Sequence, residues 1–303
     1  MTTLIGLVTF GNLEFTKMAV RSIRETVLKY PYDIFCIVGK PGDRETAEWL
    51  ESEGITYKKH DWNYGFPYSV NDIYDYAWKE NDYAYLAIMG NDVIAYPYAI
   101  DSLIQIADTT DYEWVCSRQY DVKGLVNDYP QTRQYFNGPN LLFEDFSTRP
   151  WDVFKGYSEE VQIDERTGLS DVHNLALFKK SVFDKVGYID VNFYPAYYED
   201  NDYVRRAILA GTKSCTANNS FYFHFWSRTI HQGSGGSNNY FFNLNRNFYI
   251  IKWGGDFGSE KYEIPFNNKS YTLAPGLTLP PTLYLKDRSQ EKDIARVWSS
   301  KGA

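Results

Sequence analysis

Continuous apolar runs alternate with helically spaced apolar positions over residues 1–110. The runs do not alternate in polarity, which is typical of strands buried on both faces of a parallel sheet. Strands are predicted at residues 4–10, 34–38, 55–59 and 83–89, and helices at residues 15–28, 68–78 and 97–107, with a further helix capped by Asp43. This alternation predicts a Rossmann-like α/β half with right-handed crossovers.

The pattern becomes less regular after residue 110. Strands are predicted at residues 114–117, 175–178 and 220–226, and helices at residues 180–186, 203–210 and 241–252. Residues 119–170 are irregular and rich in aromatic side chains, and so long an insert is usually functional. The expected division is into residues 1–110, residues 111–255 and a peripheral C-terminal extension, 256–303.

Composition narrows the class of protein. The chain has 303 residues, a net charge of -8 and 18% aromatic residues, of which 27 are Tyr. The acidic balance argues against a broad nucleic-acid surface. The tyrosines suit a sugar-binding cleft, although a general compositional bias explains them equally well.

Cysteine usage and hydropathy bear on the compartment. The three cysteines, Cys36, Cys116 and Cys215, are far apart, so neither a disulfide framework nor a zinc site is expected. The N-terminus carries no signal-like segment, and no apolar run reaches the roughly 20 residues of a membrane span. We therefore expect a soluble, cytoplasmic protein; the sequence does not predict its oligomeric state.

Two acidic positions are the candidates for chemistry. The apolar run 83–89 ends at Gly90, Asn91 and Asp92, where ligands bind in open α/β sheets, so Asp92 is placed to hold a divalent metal and a phosphate. The alternative is an ordinary turn residue. Glu199 and Asp200 open a predicted helix, where they serve either as a general base or as an N-terminal cap.

Ordered motifs then point to one family. They are residues 7–12 (LVTFGN), residues 63–65 (NYG) followed by Asn71, residues 91–93 (NDV), and residues 187–190 (GYID) with residues 198–202 (YEDND) and Arg205. With these motifs, residues 4–255 resemble an inverting family 2 glycosyltransferase of the GT-A fold. Two features depart from the family pattern. The acidic residue after the second strand is replaced by residues 39–43 (GKPGD), and the D-x-D metal motif is reduced to a single carboxylate.

The resemblance implies a role for each motif. Residues 1–110 would bind a nucleotide-diphosphate sugar, with a UDP-sugar favoured, and residues 111–255 would bind the acceptor. Asp92 and His224 would hold Mn²⁺ or Mg²⁺, with His231 as a competitor, and Asp200 would be the general base beside Glu199. Donor contacts are expected from Thr9, Asn12, Asp43, Gly65, Asn71, Asn91, Asp92 and Arg228. Acceptor contacts are expected from Asp202, Tyr197, Tyr198 and Trp151.

Several alternatives stay open at this point. The weakened metal motif keeps alive a catalytically silent carbohydrate-binding protein of the same fold. A nucleotidyltransferase is disfavoured because no basic, glycine-rich loop follows the first strand. The acceptor could be a saccharide, a lipid-linked glycan, a protein side chain or, against the charge balance, a hydroxymethylated base of phage-type DNA.

Overall fold

A computed structural model describes residues 1–27, 29–120, 163–164, 174–224, 238–281 and 287–301. Its strands are β1 (Thr3–Thr9), β2 (Tyr32–Val38), β3 (Thr56–Lys59), β4 (Tyr85–Gly90), β5 (Val93–Ala95), β6 (Trp114–Tyr120), β7 (Ile163–Asp164), β8 (Leu175–Lys179), β9 (Ser214–His224), β10 (Tyr271–Ala274) and β11 (Leu277–Leu279). Its α-helices are α1 (Leu13–Thr26), α2 (Arg44–Ser52), α3 (Gly65–Asp75), α4 (Ala99–Thr109), α5 (Lys180–Val186), α6 (Glu199–Leu209), α7 (Asn238–Trp253) and α8 (Glu291–Lys301).

One large sheet carries most of the described strands. Its order is β3-β2-β1-β4-β8-β6-β9-β5, and β7 pairs with β9 outside this path. The first four strands along the chain pair in parallel, as do β6 and β9, whereas β8 runs antiparallel to both β4 and β6. The expected α/β class and the parallel N-terminal half are confirmed. The short strand β5 was not predicted.

Six strands of the sheet have their C-terminal ends on the same side: β1, β2, β3, β4, β6 and β9. We call this side, formed by the carboxyl ends of these strands, the C-terminal edge. Leu175 pairs with Met89, so β8 begins at this edge. The chain therefore leaves the edge after Tyr120 and returns to it before Leu175.

Apolar side chains cover both faces of the sheet, and a third apolar cluster lies around α7. The third cluster corrects the expected peripheral tail, because Phe248 of α7 packs against Trp298 of α8 with ring centroids 5.2 Å apart. Trp298 is buried, and its indole Nε1 donates to Asn192 Oδ1 at 2.9 Å. Strands β10 and β11 and helix α8 thus contribute side chains to the core. None of the helices in the described ranges is long and apolar enough to cross a membrane.

Candidate functional site

Asp92 and His224 meet at the C-terminal edge. Asp92 follows β4, and the pairing of Val93 with His224 brings the end of β9 alongside. The imidazole Nε2 of His224 lies 3.2 Å from Asp92 Oδ1, and the two side chains are 14% and 9% exposed. A carboxylate oxygen and an imidazole nitrogen are suitable ligands for Mn²⁺. No cluster of three or more His, Cys, Asp or Glu side chains that could hold a metal occurs in the described parts of the chain, so a substrate and water would have to complete the shell.

The side chain of Asn91 holds this turn in place. Its side chain is buried, and its amide Nδ2 donates to Thr16 Oγ1 at 3.1 Å and to the Gly11 carbonyl at 3.5 Å. The amide therefore ties the turn before Asp92 to the start of α1. It fits a structural position better than the expected donor contact.

Thr9 and Asn12 flank the first turn of the candidate donor site. Thr9 ends β1, where its carbonyl accepts from Gly39 N at 2.8 Å. Its hydroxyl is buried and has no hydrogen-bond partner among the residues that the structure describes. Asn12 precedes α1 with φ 57. Both residues lie at the C-terminal edge, as their expected donor roles require.

Two expected donor contacts are engaged elsewhere. Asp43 caps α2 as predicted, because its two carboxylate oxygens accept from Thr46 N at 3.1 Å and Thr46 Oγ1 at 2.8 Å. Asn71 is fully buried, and its amide exchanges bonds with the backbone of Ile189 at 2.8 and 2.9 Å and donates to Glu291 Oε1 at 2.8 Å. Asn71 therefore anchors α3 to a distant turn and to α8, and the contacts of its amide are with the protein rather than at the C-terminal edge.

A close contact with the backbone of another segment explains why residue 65 is a glycine. Its φ is +84, and a Cβ there would lie 2.9 Å from the Pro195 carbonyl oxygen and 3.1 Å from Cδ2 of Tyr194. Phe66 N donates to the same carbonyl at 2.7 Å. The close approach joins the start of α3 to the segment before α6, so the expected approach of a nucleotide does not explain this glycine. It also places that segment at the C-terminal edge.

Glu199 and Asp200 begin α6, whose C-terminal end leads into β9 at the opposite edge. Glu199 is 7% exposed, and its Oε2 has no hydrogen-bond partner within the described ranges. Burial, and then the charge of Asp200, raise the pKa of Glu199 well above its usual value. Asp200 is half-buried, and its Oδ1 accepts from Asn201 N at 2.7 Å. The two neighbouring carboxyl groups therefore sit in different environments.

Tyr197 and Tyr198 precede this pair in an uncommon backbone conformation. Their φ values are 80 and 68, in the left-handed region that bulky residues rarely adopt. Asn245 of α7 fixes them, since its amide Nδ2 donates to the carbonyls of Ala196 at 2.7 Å and Tyr197 at 3.1 Å. Both tyrosines are half-buried beside the start of α6, where they are expected to contact the acceptor.

The side chain of Asp202 is not accessible from the surface. It is fully buried, and Lys252 Nζ lies 2.5 Å from its Oδ1 and 2.9 Å from Asp190 Oδ2. Arg206 Nε lies 2.9 Å from the other oxygen of Asp202, and Trp253 Nε1 donates to Oδ1 at 2.9 Å. The burial and ion pairs of Asp202 fit a structural role better than the expected acceptor contact. The motif residue Arg205 instead donates to the carbonyl of Tyr262 at 3.0 Å.

Sequence reasoning did not single out Lys252. The sequence does contain a signal for a buried, paired lysine at this position. Lys252 follows Phe248 and Tyr249 on the buried face of a helix, where a lysine without a partner would destabilise the fold. Three expected positions lie outside the described residues: Trp151, Arg228 and His231.

A sequence model described as Glycosyl transferase family 2 matches residues 5–187, a range that contains Asp92 and ends before Glu199. A search of curated proteins gave no match.

Solved structures share the fold at low identity. S. aureus TarS 1-349 superposes with a TM-score of 0.51 at 10% identity over 77% of this chain and 63% of its own. The mannosyltransferase PcManGT from Pyrobaculum calidifontis, in complex with GDP-Man and Mn²⁺, has a TM-score of 0.50 at 12% identity, over 77% of this chain and 59% of its own. GalNAc-T7 with UDP, GalNAc and Mn²⁺ has a TM-score of 0.52 at 12% identity, over 74% of this chain and 44% of its own. The chain thus spans less than two thirds of the length of each, and the expected GT-A type of fold is confirmed.

Proposed function

The chain belongs to glycosyl transferase family 2, and from this membership we propose that it moves a sugar from a nucleotide-diphosphate donor, a UDP-sugar in the first instance, to an acceptor hydroxyl with inversion. The observation that carries the proposal is the Asp92–His224 pair at the C-terminal edge, 3.2 Å apart. This edge is where open α/β sheets bind their ligands.

The donor half of the proposal assigns Asp92 and His224 to a divalent cation, Mn²⁺ or Mg²⁺. Two structural neighbours contain Mn²⁺ together with a nucleotide or nucleotide sugar, which supports this assignment. A cation there would neutralise the charge that grows on the leaving diphosphate. Thr9 and Asn12 lie at the same edge and are our candidates for contacts to the nucleoside.

The acceptor half assigns the general base to Asp200. A base must accept the proton of the attacking hydroxyl while the diphosphate leaves from the opposite side of the sugar, and a single in-line displacement inverts the anomeric carbon. Glu199 is less suited to that role, because burial, and then the charge of Asp200, raise the pKa of its carboxyl group well above its usual value. We therefore assign Asp200 as the base and Glu199 as its neighbour, since the two carboxyl groups have different surroundings.

The test is hydrolysis and transfer with a panel of UDP-glucose, UDP-N-acetylglucosamine, UDP-galactose and GDP-mannose, in MnCl₂, MgCl₂ or EDTA. We expect metal-stimulated turnover of at least one donor. Asp200→Asn should lower turnover about 10²–10⁴-fold while it keeps donor binding, because it removes a base and no donor ligand. Asp92→Asn should weaken binding of the donor in MnCl₂ and leave the EDTA value nearly unchanged.

Asp293→Asn is the matched control, since this aspartate lies on the exposed side of α8. It should behave like the parent. Metal-dependent donor binding without any turnover in the parent would instead favour the catalytically silent carbohydrate-binding protein. Absence of both binding and turnover would contradict the proposal.

A further inference from the structure

A cluster of three aromatic rings lies next to the proposed base, and we call it the aromatic platform: Tyr197, Tyr198 and Phe242. Phe242 of α7 contacts Tyr197 edge-to-face with ring centroids 5.6 Å apart and lies 5.3 Å from the Tyr198 ring. Phe242 is 42% exposed, so its ring is open to a ligand of small size.

The platform is held rigidly. The two tyrosines keep left-handed backbone conformations, each costing on the order of 1–3 kcal/mol, and such strain persists only where the surroundings impose it. The surroundings here are the amide of Asn245, which binds the carbonyls of Ala196 and Tyr197 from the same helix that carries Phe242. Helix α7 thus fixes both parts of the platform, and the next residues along the chain are Glu199 and Asp200.

A polar rim borders the rings. The Tyr198 hydroxyl donates to Asp256 Oδ1 at 3.3 Å, and Arg246 Nε donates to Asp256 Oδ2 at 2.8 Å. Arg246 and Asp256 are both partly exposed, so they can also bond with a ligand. Aromatic rings with a few polar groups at their margin are typical of sites that bind small polar molecules with an apolar face.

We propose that the aromatic platform is the acceptor subsite, and that the acceptor is a saccharide whose pyranose ring stacks on Phe242. This inference rests on the proposed function and narrows its acceptor to one class. A pyranose presents C–H groups on its face and hydroxyl groups at its margin, which matches rings inside a polar rim. Tyr198 immediately precedes the helix that begins with Glu199 and Asp200, so an acceptor stacked on the platform would lie at the start of the helix that carries the proposed base.

The charge and size of the platform disfavour the other acceptors. A nucleic-acid strand needs cations along its backbone, but Arg246 is paired with Asp256 and the whole chain carries -8. A lipid needs a wider apolar surface than one half-open phenylalanine between polar groups. The experiment therefore includes a nucleic acid, a lipid and a peptide as alternative acceptors.

The experiment offers the active donor to four acceptors in parallel. The arms are a set of methyl β-pyranosides (glucoside, galactoside and N-acetylglucosaminide), a serine- and threonine-containing peptide, undecaprenyl phosphate in detergent, and an oligonucleotide with 5-hydroxymethylcytosine. We expect transfer in the pyranoside arm. Phe242→Ala should raise the KM for the pyranoside about tenfold or more and affect kcat less, and Phe242→Tyr should restore the KM because it keeps the ring.

Phe257→Ala is the control for loss of an exposed aromatic ring, since Phe257 is 49% exposed and lies outside the platform. Its KM should match the parent. Transfer only to the peptide, the lipid or the oligonucleotide would overturn the proposal, as would equal KM values for Phe242→Ala and Phe257→Ala. Metal-dependent donor hydrolysis with no pyranoside transfer would overturn this inference alone, whereas loss of donor binding and hydrolysis would refute the proposed function itself.

Discussion

Substitution of Lys252 by methionine tests the buried ion network beneath the candidate base. Methionine keeps the length and apolar stem of lysine but removes the ammonium that lies 2.9 Å from Asp190 and 2.5 Å from Asp202, all three side chains being fully buried. Removal of one partner from a buried ion pair typically costs about 3–5 kcal/mol, because the remaining charges stay buried. With an unfolding entropy of about 2.1 cal/mol/K per residue, that cost lowers the Tm of a chain of this length by roughly 5–8 °C.

The pH dependence provides a second check on Lys252→Met. Burial alone would raise the pKa of Asp202, but the charges of Lys252 and Arg206 together hold it below its ordinary value of 3.8. The stabilisation from a carboxylate with a lowered pKa is present above 3.8 and is lost as the pH falls through the folded-state pKa. The difference in stability between parent and variant should therefore be largest near pH 7 and shrink below about pH 4.

The assay is thermal and urea unfolding of the parent, Lys252→Met and the exposed control Lys269→Met at pH 7 and at lower pH. The control should stay within about 0.5 kcal/mol of the parent. If Lys252→Met unfolds at the same temperature as the control, or if its deficit grows on acidification, the network does not stabilise the fold in the way described.

Two further predictions concern backbone space and a buried acid. Gly65→Ala should destabilise the protein by about 1–3 kcal/mol more than Gly42→Ala in urea unfolding, because both glycines have positive φ but only Gly65 faces the Pro195 carbonyl; equal losses would rule out the close approach. Burial raises the pKa of Glu291 from 4.5 to about 8 although Arg288 opposes this, so its stabilising contribution is complete below 4.5 and is lost as the pH rises through 8. Glu291→Gln cannot ionise, so its Tm relative to the parent should rise between pH 6 and about pH 8; a difference that stays constant over this range would show that Glu291 is already ionised in the fold at pH 6.

The fold followed from the sequence where apolar runs were long and continuous. Strands β1, β2 and β4 were predicted within a few residues of their observed ends because β1 and β4 are buried almost throughout and β2 is buried over its last four residues. The three-residue strand β5 is too short to give a periodic signal. The first half of β9 was missed because its polar stretch, residues 214–219, lies between β6 and β7 in the sheet.

The site was less predictable, because spacing does not reveal what a polar side chain faces. The approximate position of Asp92 came from a strand end, but its contact with His224 depends on the register of β5 with β9, about 130 residues apart in the chain. Asn71 has the spacing of a ligand-binding amide, yet its partner Glu291 lies 220 positions away. Local pattern cannot distinguish these two uses of one residue type.

The chain leaves the C-terminal edge after Tyr120 and returns to it at Leu175, and it leaves again after His224. The first of the two intervening stretches also holds β7, which pairs with β9. Insertions, deletions or exchanges within residues 121–162, 165–173 and 225–237 need not alter any strand pairing described above. The length of the chain can therefore vary beside the C-terminal edge while the strands next to Asp92 and His224 keep their pairing.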